Sequence, residues 1–160
     1  MKNQKPDHSF IEIHRNPAQP GTDLQSPRCR SLYEWWLGQG VHPPLRKSFD
    51  IIEHKKIASH LFLIEVHGED RFLIKLIGES AANILGRNNT GQWASNAPDN
   101  PHGALIDYYA RLCESRIPWH CHGRLTYLGR DHIHFESIDC PLADENGAIS
   151  HIIGCIDLTA

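Results

Sequence analysis

Two His-x-His pairs, His120-Cys121-His122 and His132-Ile133-His134, are the residues whose type and spacing come nearest to chemistry. Alternate residues of a strand share a face, so two such pairs on adjacent strands offer four imidazoles to one metal ion. Register decides whether they converge. With a two-residue turn at Gly129-Arg130, His122 falls opposite Ser137 and the two pairs face opposite sides of the sheet. With a three-residue turn the faces agree, but His122 lies opposite Glu136 and meets His134 only diagonally, so a compact site needs a bulge. No metal site is expected, and these histidines are read as polar or partly buried strand residues.

Gly78-Glu79-Ser80-Ala81-Ala82 approaches the nucleophile elbow Gly-x-Ser-x-Gly, and it sits between a strand and a helix as that motif requires. Ala82 stands where the second glycine belongs, and the chain is short for an α/β-hydrolase sheet. Ser80 is therefore expected to cap the following helix. Cys121 lacks an orienting third group and an oxyanion loop, which leaves packing as its expected role. Glu136, a mid-strand carboxylate, is expected to be exposed or paired with Arg124 on the neighbouring strand. A binding protein rather than an enzyme is expected, with a small α+β enzyme as the alternative.

The elements that must position these groups follow from periodicity. Residues 1–26 are polar, carry Pro6, Pro17 and Pro20, and read as a flexible tail; Phe10-Ile11-Glu12-Ile13 offers at most a short edge strand. A single domain then spans 27–160. Arg28 to Leu37 reads as a helix closed by Gly38, with Leu32, Trp35 and Trp36 on one aromatic face. A helix so short needs a docking surface, on its own domain first and on a dimer partner second. A helical turn is expected around Glu53-His54-Lys55-Lys56.

His60 to Val66 and Arg71 to Ile77 read as strands joined by a hairpin at His67-Gly68-Glu69-Asp70. A short helix, Ala81 to Leu85, ends at Gly86. Leu105, Tyr108, Tyr109 and Leu112 recur at helical spacing between Pro101 and Ser115. Trp119 to Leu128, His132 to Leu142 and Ile149 to Leu158 read as three closing strands. The order predicts an α+β domain, an antiparallel sheet covered on one face by short helices.

Composition bounds the function. The chain has 160 residues, is 40% hydrophobic and carries a formal net charge of −3. That mild acidity argues against nucleic acid, which is held by dense Lys and Arg. The longest apolar run, Leu61 to Ile64, is too short to span a bilayer, and the N-terminus lacks the apolar stretch of a signal peptide, so a cytoplasmic protein away from membranes is expected. The five cysteines are odd in number and lack Cys-x-x-Cys spacing, as reduced, packed thiols would.

The wording of the sequence adds to this order. The helix Leu32-Tyr33-Glu34-Trp35-Trp36, the strand Leu61 to Val66, and Leu76-Ile77-Gly78-Glu79-Ser80 come first. Leu85-Gly86-Arg87-Asn88-Asn89-Thr90-Gly91, Phe135-Glu136, Cys140-Pro141-Leu142-Ala143 and Ile152-Ile153-Gly154 follow. Across Ser31 to Asp157 the chain resembles a family of short, stand-alone bacterial PAS proteins found mainly in alphaproteobacteria. The resemblance implies a five-stranded antiparallel sheet cupping short helices, with an N-terminal aromatic helix. It also implies a sensory or adaptor role: binding of a small ligand, a separate signalling protein as partner, or homodimerisation through the N-terminal helix. No output domain is expected after Ala160.

Ile84, Leu85, Trp93, Tyr109, Leu112, Leu125 and Tyr127 are the expected lining of a ligand or cofactor pocket, with filling of the core as their alternative role. The identity of any cofactor stays open. Some PAS domains hold haem through an axial histidine, for which His102 is the best placed. Flavin photochemistry needs a cysteine beside the asparagines near Asn83 and Asn88-Asn89, and none is there.

Overall fold

A computed structural model describes residues 8–86, 88–94, 105–127 and 130–159, with the backbone alone for 8, 9, 126, 127 and 130–132. The chain runs β1 (His8–Pro17), α1 (Pro27–Leu37), β2 (Leu61–Gly68), β3 (Arg71–Ile77), α2 (Glu79–Leu85), α3 (Leu105–Ser115), β4 (Trp119–Tyr127), β5 (Arg130–Ala143) and β6 (Ile149–Thr159). Three short 3-10 turns, Arg46–Ser48, Ile51–His54 and Ala58–His60, lead from α1 to β2. No helix among the described residues is long and apolar enough to cross a membrane.

All strand pairs are antiparallel, and the sheet order is β1-β4-β5-β6-β2-β3. The sheet therefore has six strands, where five were expected. The sixth is β1, drawn from the segment read as a tail. Residues 8–17 pair with β4, and Ala18, Leu24 and Ser26 beyond them are buried, so the domain begins well before residue 27. The alternation of β1 is hidden by a bulge. Glu12 takes a positive φ of 53°, and the register slips between Ile11 and His14. Phe10, Ile13 and Arg15 consequently share one face despite their uneven spacing. Gly123 on β4 accommodates the bulge: a Cβ there would lie 2.8 Å from the Glu12 carbonyl oxygen.

Helices cover both faces of the sheet, not one. Two separate apolar clusters result. On the first face, Cys29, Leu32, Tyr33 and Trp36 of α1 recur at i, i+3, i+4 and i+7 and pack on Leu61, Ile138, Cys140, Leu142 and Ile153. Trp36 Nε1 donates to the Pro141 carbonyl at 2.9 Å. The aromatic face of α1 is thus docked on its own domain. Its outward side carries Arg28, Arg30, Ser31 and Glu34. On the second face, α2 and α3 lie over Phe62, Ile64, Phe72, Ile74 and Ile156.

The start of α1 is fastened by two carboxylates. Ser26 is its N-cap, accepting from Cys29 N–H at 3.1 Å, and Pro27 follows as the first helical residue. The Ser26 hydroxyl in turn donates to Asp157 at 2.7 Å. Glu136 accepts the backbone N–H groups of Gln25 and Ser26, each at 3.0 Å. Arg28 adds an ion pair to Asp157 at 3.2 Å. Glu136 and Asp157 face each other across β5 and β6.

Gly78 is fixed by close approach. At Gly78 a Cβ would come within 2.4 Å of the Ser59 carbonyl oxygen, so the strand-to-helix passage needs the missing side chain rather than an unusual φ. Ser80 does not cap α2 through its own hydroxyl. Ser59 Oγ accepts the Ser80 N–H at 3.0 Å instead, which supplies the cap from the preceding turn.

Glu136→Gln keeps the size of the side chain while one of its two acceptors becomes a donor facing a backbone N–H. Urea denaturation at neutral pH is expected to show a loss of about 1–3 kcal/mol, with the fold retained by far-UV circular dichroism. An unchanged midpoint would show that the carboxylate does not hold α1.

Candidate functional site

Between the second face of the sheet and helices α2 and α3 lies a cavity of about 250 Å³. Its walls are apolar: Phe62 and Ile64 from β2, Ile74 and Ile77 from β3, Phe135 and Ile156 from β5 and β6. Leu85, Asn89, Gln92, Trp93 and Leu105 stand on the helical side. Trp93 is 45% exposed, and the Arg71 guanidinium stacks on it, 4.4 Å from the ring centroid. The segment Gly91–Ala94 is held there by hydrogen bonds to the outer edge of β3, at Phe72 and Ile74.

Besides Asn89 and Gln92 on the helical side, the polar groups of the cavity come from β1, α3, β4 and β5. Asp139 is 2% exposed. The Tyr108 hydroxyl donates to its Oδ2. Its other oxygen, Oδ1, is buried and makes no hydrogen bond among the described residues, although the nearby Ser137 hydroxyl helps to hold the carboxyl down. Arg15 lies with its guanidinium 4.5 Å from the centroid of the Tyr108 ring, and Ser137 and Cys121 complete this end. Burial raises the carboxyl of Asp139 from 3.8 to about 6, against the opposing pull of Tyr108, Arg15, Ser137 and His120. Burial also pushes the Cys121 thiol up to about 12 and the Tyr108 hydroxyl well above its ordinary value, with the Asp139 charge adding to both. At neutral pH Cys121 is a protonated wall residue, not a nucleophile.

Gly154 makes room for the carboxylate. A Cβ there would lie 2.7 Å from Asp139 Oδ1 and 2.1 Å from Phe62 Cζ. The β5–β6 register sets Asp139 directly opposite Gly154, which leaves this space.

Of the seven residues expected to line a pocket, Leu85, Trp93 and Tyr109 do so. Ile84 and Leu112 are buried in the core around the cavity without lining it. Leu125 is buried opposite Phe10 on β1, also away from the lining. The side chain of Tyr127 lies outside the described residues, as does His102. Sequence reasoning missed Asp139, Tyr108 and Arg15. The available signal was Ser137-x-Asp139, two polar residues at strand spacing beside the apolar Ile138, Cys140 and Leu142.

His120, His122 and His134 stand on the opposite face, and the side chain of His132 lies outside the described residues. His122 stands opposite Glu136 and Arg124 opposite His134, the register expected of a three-residue turn. Tyr127 pairs with Arg130, however, and a bulge between Leu125 and Tyr127 makes up the difference. His14 on β1 adds a further imidazole opposite His122. The His14 and His122 rings stack with centroids 5.0 Å apart, and His120 lies 5.2 Å from His122. Stacked rings aim their nitrogens sideways. Among the described residues, no group of three or more His, Cys, Asp or Glu could hold a metal ion.

Glu136 is not paired with Arg124, which binds Glu12 instead with Nε to Oε2 at 2.9 Å. It meets His120 Nε2 at 3.2 Å, an ion-pair contact too poorly aligned to be a hydrogen bond. Burial works to raise the Glu136 carboxyl, but His120 and the two amides outweigh it and hold it below its ordinary value.

No family model matches the chain, and no curated protein is significantly similar to it. A solved structure of an RNA-binding Light-Oxygen-Voltage receptor superposes on 93% of the chain with a TM-score of 0.53, at 13% sequence identity. The fold is PAS-like. The chain spans 38% of that receptor, and at this identity the likeness concerns architecture alone. In this PAS-like chain the cavity lies between the sheet and the helices of its second face. Among the described residues lining it there is no histidine, so they offer haem no imidazole axial ligand.

The raised carboxyl of Asp139 gives a signed pH dependence. The folded chain holds this proton up to about pH 6, whereas an unfolded aspartate releases it near 3.8. Its contribution to stability is therefore complete below pH 4 and is lost as pH rises through 6, by roughly 3 kcal/mol. Asp139→Asn is expected to match the wild type near pH 4 and to exceed it at pH 8 by about 1–3 kcal/mol in urea denaturation. A difference that does not change with pH would show that Asp139 titrates normally.

Proposed function

We infer that this chain is a cytoplasmic sensory or adaptor domain that takes a small, mostly apolar ligand in the cavity beneath α2 and α3. Its output passes to a separate signalling protein. The observation that carries this reading is the cavity itself: about 250 Å³, apolar on its walls, with one buried carboxylate at its polar end. That combination of an apolar enclosure and a few convergent polar groups is the ordinary form of a small-molecule site. A core built only for stability gains nothing from a buried acid with an unpartnered oxygen.

Binding rather than catalysis is supported by the groups that line the cavity. Its thiol is held protonated, and the described lining offers no histidine to act as base beside it. Nucleic acid is not proposed as a partner, although the similar solved receptor is RNA-binding, because the net charge of −3 opposes contact with phosphates. The aromatic residues of α1 that suggested a homodimer are already docked on the sheet. Dimerisation through α1 would have to use its outward polar side.

Native mass spectrometry of the freshly purified full chain tests the reading. A retained small-molecule mass is expected in the wild type. Ile74→Trp, which fills the cavity from the β3 side, is expected to lose that mass while keeping its far-UV circular dichroism. A mass retained equally by the folded variant would place the ligand elsewhere, and a bare polypeptide in every preparation would count against a resident ligand.

A further inference from the structure

The polar end of the cavity restricts what the cavity accepts. One oxygen of Asp139 is satisfied by Tyr108, and the other is buried and makes no hydrogen bond among the described residues. A buried carboxylate oxygen without a donor is costly, and the deficit is removed by a ligand that brings an N–H or O–H to it. Charge narrows the choice. The Arg15 guanidinium is at the same end, stacked on the Tyr108 ring, so an incoming cation meets Arg15 as well as Asp139. A neutral donor meets the carboxylate without that repulsion.

Shape narrows it again. Apolar cavities of about 150 Å³ admit benzene. A space of about 250 Å³ lined by Phe62, Phe135 and Tyr109 suits a planar molecule of one or two rings, which stacks on or edges against such rings. We propose that the ligand is a neutral planar molecule of one or two rings, whose single N–H or O–H donates to the unpartnered oxygen of Asp139. The proposal rests on the cavity being the ligand site.

Isothermal titration of the full chain with indole, 1-methylindole and benzylamine tests it. Indole and 1-methylindole share ring and charge and differ in the donor, while benzylamine carries a cation. The wild type is expected to bind indole roughly tenfold or more tightly than 1-methylindole, the size of one hydrogen bond to a charged group. Benzylamine is expected to bind more weakly than indole. In Asp139→Asn, where an amide N–H₂ replaces the free oxygen while the amide oxygen still accepts from Tyr108, the preference is expected to disappear.

Equal binding of the two indoles by the wild type would overturn the assignment of Asp139 while leaving the cavity reading intact, the free oxygen then being met by solvent. Tighter binding of benzylamine would overturn the neutral ligand. Failure of all three probes, together with a bare polypeptide in native mass spectrometry, would overturn the cavity reading and this inference with it.

Discussion

The first backbone amides of a helix have no partners within it, and in this chain those around the start of α1 point at a carboxylate buried on β5. Glu136 accepts from Gln25 and Ser26, while Asp157 beside it takes the Ser26 hydroxyl and Arg28. Two acids directly opposite on neighbouring strands repel each other, and burial worsens the repulsion. They coexist because donors surround them. The arrangement sets where α1 starts and how it lies, which brings Trp36 to the Pro141 carbonyl and seals Leu32 and Tyr33 over the sheet. One face of the molecule hangs on this pair of acids.

The same strand carries the opposite solution on its other side. Glu136 and Asp139 are three residues apart, so they project to opposite faces of β5. Glu136 is met by amides and an imidazole, and its proton is released readily. Asp139 has a single hydroxyl on one oxygen, and burial keeps its proton longer. The first acid is enclosed by donors, and the second is held among apolar walls with one donor. Because the two share one strand, the layer that carries α1 and the layer that encloses the cavity are fixed to a common support.

Most elements were legible in the sequence because their periodicity is clean. β3 was located to the residue, α1 to within one residue at its start, and the helical spacing of Leu105, Tyr108, Tyr109 and Leu112 marked α3. β1 was not legible, because the bulge at Glu12 breaks the alternation that announces a strand. That also concealed Arg15 as a cavity residue. Leu85, Trp93 and Tyr109 were found from the elements that carry them. Asp139 depends on which residues stand opposite it across two strand pairs, and sequence alone left the β4–β5 register open between two turns. Covering both faces of the sheet was missed for a related reason: a buried strand reads as apolar on both sides, and its pattern does not say which layer each side meets.

The position of β1 at the sheet margin has a consequence for how the molecule comes into being. Its bulge is tied to β4 by the Glu12–Arg124 pair, across a separation of 112 residues. It is made more than a hundred residues before the strand it must join. Contacts closed over so long an interval carry an entropic cost before any reward. Until it arrives, the margin of β4 is an open ladder of backbone donors and acceptors, and the cavity lacks the wall that Phe10, Ile13 and Arg15 provide. Closing β1 onto β4 thus completes the sheet and the wall of the cavity together.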